Sequence, residues 1–166
     1  MRSRTAEWFE TKIKYEKMMD DGTMKKVSEQ YVVDALSFTE AEKRVTEEMS
    51  SYISGEYEVA NIKKAAYGEI FFSDIDGDDK WYKAKLQFIT IDEKTAKEKR
   101  QNVNYLVQAR SLMDAVKSID EVMGGTMIDY QISAVVETMI MDVYEYNVAT
   151  KKEEVNDKPE YQEQTK

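Results

Sequence analysis

Ser73-Asp74-Ile75-Asp76-Gly77-Asp78-Asp79-Lys80 separates two stretches of chain that read as copies of one unit. Trp8, Phe9, Lys12, Ile13 and Tyr15 align with Trp81, Tyr82, Lys85, Leu86 and Phe88 at a shift of 73 residues. Tyr31, Val33, Ala35, Ser37, Ala41, Lys43, Glu47 and Met49 then meet Tyr105, Val107, Ala109, Ser111, Ala115, Lys117, Glu121 and Met123 unchanged at a shift of 74, and one residue of slip in a hairpin loop accounts for the difference. Self-similarity of this kind decides the architecture before any single element is assigned. The acidic stretch is the joint between the copies.

Asp74, Asp76 and Asp78 have the spacing of the first three ligands of a calcium loop. The match stops there: Asp79 stands where the sharp turn wants Gly, Lys85 stands where a bidentate Glu is required, and strands rather than helices flank the loop. It reads as an acidic, solvated turn, and no metal site is assigned. An enzyme reading would start from Asp76 and Asp78, but neighbouring loop acids are far more often just solvated.

Before the joint, Trp8 to Lys17 alternates. Phe9, Thr11, Ile13 and Tyr15 share one face, and Trp8, Glu10, Lys12 and Lys14 the other, which is the period of a half-buried strand. Asp21-Gly22 supplies a reversal that tolerates positive φ, and Lys25 to Ala35 returns with Tyr31, Val33 and Ala35 inward. Ser37 opens a helix, with Glu40 three residues on completing a capping box. Phe38, Ala41, Val45, Met49 and Tyr52 or Ile53 form its apolar stripe. Ser54-Gly55 is expected to end it, with Gly55 in the left-handed cap. Glu56 to Ser73 is too long for one ordinary strand and contains Gly68, so it reads as two strands or one sharply bent strand.

After the joint the same order recurs. Trp81 to Ile91 places Tyr82, Ala84, Leu86 and Phe88 inward, and Asn102 to Ala109 returns with Val103, Tyr105 and Val107 on one side. Ser111 with Asp114 offers the helix cap, Leu112, Ala115, Val116, Ile119 and Met123 the stripe, and Gly124-Gly125 the stop. Tyr130, Ile132, Ile140, Val143 and Tyr144 answer Tyr57, Val59, Tyr67, Ile70 and Phe71. The fold expected is α+β: two fused β-β-α-β(β) repeats, residues 8–73 and 81–146, joined by an acidic turn at 74–80. Pseudo-two-fold symmetry, mainly antiparallel sheet and two packed helices complete it. Residues 1–149 then form one domain, and 150–166, charged and holding the chain's only proline, Pro159, form a flexible tail.

The chain has 166 residues, 24 Lys plus Arg against 33 Asp plus Glu, and a net charge of −9. That balance disfavours indiscriminate attraction to phosphate polyanions. With no Cys and no His, disulfides, thiolate nucleophiles, Cys/His zinc sites and the Ser-His-Asp relay are excluded from this chain alone. No catalytic constellation is evident and no cofactor is implied, so a non-enzyme is expected. The basic start Met1-Arg2-Ser3-Arg4 is followed by no apolar core and no run reaches membrane-spanning length, which gives a cytoplasmic address and no membrane partner.

The blocks Trp8-Phe9-Glu10-Thr11-Lys12, Asp34-Ala35-Leu36-Ser37-Phe38-Thr39-Glu40-Ala41-Glu42, Ile53-Ser54-Gly55-Glu56, Lys80-Trp81-Tyr82-Lys83-Ala84-Lys85 and Met141-Asp142-Val143-Tyr144 together resemble a family of small proteins, domain of unknown function family 4494, common in Bacteroides-type bacteria and their phages. The resemblance runs from about Trp8 to Tyr146. It implies a cytoplasmic protein of bacterial or phage origin and brings no catalytic residues with it.

The candidate site is a sheet face. Trp8 falls on the polar side of its strand beside Lys12 and Lys14, and Trp81 on the polar side of its own beside Lys83 and Lys85. Aromatic planes among cations are what single-strand platforms use, a stacked base contributing roughly 1–3 kcal/mol. The leading expectation is therefore a binding protein for single-stranded nucleic acid. The alternative is a protein-interaction or scaffold protein, homodimeric or with another partner, whose free sheet faces and edges take a protein chain while each Trp covers an edge.

Overall fold

The computed structural model describes residues 1–146; residues 147–149 of the expected domain and the expected tail, 150–166, lie outside the described residues. The protein is α+β, with two helices packed on two mixed, largely antiparallel sheets. In chain order the elements are β1 (Arg2–Thr5), β2 (Trp8–Met18), β3 (Met24–Asp34), α1 (Phe38–Tyr52), β4 (Tyr57–Lys64), β5 (Glu69–Phe72), β6 (Lys80–Ile91), β7 (Glu98–Ala109), α2 (Leu112–Gly124), β8 (Asp129–Glu137) and β9 (Ile140–Tyr144). The long segments after each helix do break into two strands, the first near Gly68. β1 is an addition: Arg2 to Thr5, read as a bare basic start, pairs with β5.

The hairpins form where alternation and turn residues demand them. Gly22 takes φ 83° in the first turn. That loop closes from Met19 to Thr23 and the second from Asp92 to Lys97, one residue longer. Ser37 accepts the N–H of Glu40 at 3.1 Å, and the Glu40 carboxylate takes the N–H of Leu36 at 3.1 Å. Ala41, Val45 and Met49 are buried on α1, and Ala115, Ile119 and Met123 on α2. The helix end differs from expectation. Ile53, in extended backbone, closes α1 with its N–H on Met49 O, and among the described residues the glycines at positive φ are Gly22 and Gly77, not Gly55. A glycine permits the left-handed cap, but the apolar side chain of Ile53 pulls the chain straight down into the core instead.

One sheet runs β4-β2-β3-β9 and the other β8-β6-β7-β5-β1. Apart from β1 the connectivity is the same, and in each sheet the last strand comes from the other half of the chain: β9 runs parallel to β3, and β5 parallel to β7. Register shifts fall at Lys12/Ile13 and at Lys85/Leu86, where the edge strands β4 and β8 each carry an extra residue. The N–H of Ala65 binds Trp8 O and that of Thr138 binds Trp81 O, both at 2.9 Å. Ser73 N–H reaches the Gln108 side chain at 3.0 Å, and Tyr146 N–H reaches Asp34 at 2.9 Å.

Three apolar clusters follow. α1 covers Phe9, Ile13, Tyr31 and Val33 on one sheet, and α2 covers Tyr82, Leu86, Tyr105 and Val107 on the other. The third joins the remaining faces of the two sheets through Trp8, Val32, Ile70, Phe72, Trp81, Leu106 and Val143. Arg4 of β1 and Arg44 of α1 both bind Asp34, which also holds Tyr146, and Arg4 donates to Tyr146 O at 3.3 Å. The start of the chain and the end of β9 therefore meet at one carboxylate.

Candidate functional site

Trp8 is the first residue of β2 and Trp81 the second of β6, where both faces are covered, and each is 2% exposed. Phe72 lies between them, 6.4 Å from Trp8 and 5.7 Å from Trp81 in an edge-on contact. Neither indole offers a face on which a base can stack. Period-two alternation places both tryptophans opposite the helix, as expected, but that face meets the second sheet rather than water. The signal for this is in the sequence: Tyr31-Val32-Val33, Ile70-Phe71-Phe72 and Tyr105-Leu106-Val107 are unbroken apolar runs, the mark of strands buried on both sides.

The lysines divide. Lys83 leaves the expected platform and binds the buried carboxylate of Glu10 at 2.7 Å, joining β6 to β2 across the two sheets. Glu10, 6% exposed, also accepts from the Tyr67 hydroxyl at 3.0 Å and pairs with Lys63 at 3.5 Å. Burial alone raises its pKa, but the hydrogen bond and charge of Lys83, the Tyr67 hydroxyl and Lys63 together outweigh it and hold the carboxyl below its ordinary value. At the sequence shift of 73, Glu10 corresponds to Lys83, so the two halves meet through equivalent positions of opposite charge.

Lys12 is half-buried, and Lys14 and Lys85 are exposed. Lys12 and Lys85 each lie two residues beyond the Glu10–Lys83 contact, about 7 Å along their strands. Lys14 lines an open groove of about 790 Å³ with Lys26, but Glu16, Glu56 and Glu58 line it too, so it is no basic channel.

A second buried carboxylate was not singled out by sequence. Glu29, under α1, accepts from Tyr15 at 2.8 Å and Tyr31 at 2.6 Å. Burial, then the bond to Glu29, pushes the Tyr15 hydroxyl up to about 12 and raises Tyr31 as well. In the joint, Asp78 binds Ser73 and Arg110, and Asp74 binds the amino terminus at 3.0 Å. Among the described residues no group of three or more acids could hold a metal ion, and no helix is long and apolar enough to cross a membrane.

Compared with known proteins, the chain matches a family model described as Domain of unknown function (DUF4494) over residues 7–146. No curated protein and no solved structure matches it.

Proposed function

The chain belongs to the DUF4494 family, and from its geometry we propose that it is a non-enzymatic protein-binding module, built from two equivalent halves, that holds its partner through exposed methionines. The observation that carries this reading is where methionine sits. Of ten methionines, Met1, Met18, Met19, Met24, Met113, Met127, Met139 and Met141 are exposed, and only Met49 and Met123 are buried. An unbranched, polarizable side chain adapts to a partner's shape and serves binding surfaces for that reason. Leu36, Ile91 and Val136 are each more than half exposed as well.

Other features lean the same way. Both tryptophans are withdrawn from solvent, Lys83 is bound to Glu10, and a net charge of −9 repels phosphate at long range. Glu10 and Glu29 use both carboxylate oxygens on side-chain partners, which supports a structural rather than an acid–base role.

The test replaces methionine with a photo-crosslinking diazirine analogue in cells expressing the chain. Discrete protein adducts at exposed methionines are expected, while fluorescein-labelled oligo-dT keeps the same anisotropy when the protein is added at low salt. A rise in that anisotropy that fades steeply with salt, without protein adducts, would overturn the reading in favour of single-stranded nucleic acid.

A further inference from the structure

Among the described residues, the four sheet edges are unequally defended against another strand. β1 is four residues long and carries Arg2 and Arg4. β4 ends in Lys63 and Lys64, both exposed. On β9, Met141 sits at a register shift and the Asp142 carboxylate takes the N–H of Val143 at 2.8 Å, closing that edge from within. Charge, shortness and bulges are the usual protections of an edge. β8 has only its bulge at Ser133: between Asp129 and Glu137 no residue is charged, and the strand holds no Lys, Arg or Pro. Ala134 is exposed and Val136 is 59% exposed. Just beyond the two ends lie Met127 and Ile128 on one side and Met139 on the other, all exposed.

We infer that β8 is a strand-docking edge, and that its occupant is an extended segment of a different protein, apolar at its centre and basic at both ends. This rests on the protein-binding reading above. Backbone hydrogen bonds to this edge, which has no second partner strand among the described residues, supply affinity, and alternate side chains against Val136 and the flanking methionines supply selectivity. Charge chooses between the occupants, with Lys80 at 3.7 Å from Glu137 offsetting part of one end's charge. A second copy pairing antiparallel about Ser133 would set Asp129 against Glu137 twice, like charge against like. A segment with Lys or Arg at its ends meets Asp129 and Glu137 with opposite charge instead.

The probe is a fluorescein-labelled peptide, Lys-Thr-Val-Thr-Val-Thr-Val-Lys, titrated with the protein and followed by anisotropy. Binding is expected, with slower amide exchange along β8 and not along β4. Val136→Lys, at an exposed position, is expected to weaken binding about tenfold or more. Absence of binding, or protection appearing on β4 instead, overturns the inference even where methionine cross-links persist; loss of the cross-links as well overturns the protein-binding reading with it. A concentration-dependent dimer abolished by Val136→Lys overturns the choice of a different protein as occupant.

Discussion

A tryptophan at 2% exposure contributes through the volume it fills, so Trp81→Ala is expected to cost about 3–5 kcal/mol in a denaturant titration. A surface platform would lose almost nothing. Trp8 has an instructive difference: its Nε1 is buried with no hydrogen-bond partner among the described residues, so Trp8→Phe forfeits no bond seen there and is expected to be milder than Trp81→Ala. At Glu10 the folded-state pKa lies below the ordinary 4.5, so the carboxylate stabilises the fold above its unfolded pKa. That contribution is lost as pH falls through the folded value. Wild type is therefore expected to exceed Glu10→Gln in stability at neutral pH, with the gap closing below pH 4.5; a gap independent of pH would contradict the ion-pair account. Which residues share a face was legible in Trp8 to Lys17, because alternation is local. What that face meets was not, because alternation carries no information about a second layer.

The helices and their N-caps were legible, since caps and stripes are local devices, but Phe38 and Leu112 at the first turns, and Tyr52, read as an alternative to Ile53, are exposed rather than buried. Ser37→Ala removes the acceptor of Glu40 N–H and is expected to cost about 1 kcal/mol, measured by thermal or chemical denaturation. Ser111, which accepts the N–H of Asp114 at 3.2 Å, should show the same loss when replaced by Ala. The hairpins were equally plain from Gly22 and the alternation on either side. β5 and β9 were found as strands but not in their sheets. Their short apolar runs say "buried strand", whereas each parallel partner lies across a long connection, which follows β5 and precedes β9.

Across the whole molecule, the exchange of β5 and β9 means that neither half can complete its sheet alone. Fragments 1–79 and 80–146 are each expected to lack cooperative unfolding in isolation and to regain it when mixed, as followed by circular dichroism. Self-pairing of the first fragment would bring Glu10 against a second Glu10 where the intact chain has Lys83, a buried like-charge contact that keeps Lys63 but loses the nearer cation. A stably folded single half would refute this account of the exchange. The shared carboxylate of Asp34, which gathers Arg4 and Tyr146, has a consequence for chain order itself. Because residues 4 and 146 lie side by side, closing the 1–146 chain with a short flexible linker and cutting it at Gly77 would produce a circular permutant that preserves every strand pairing and merely reverses which half is synthesised first.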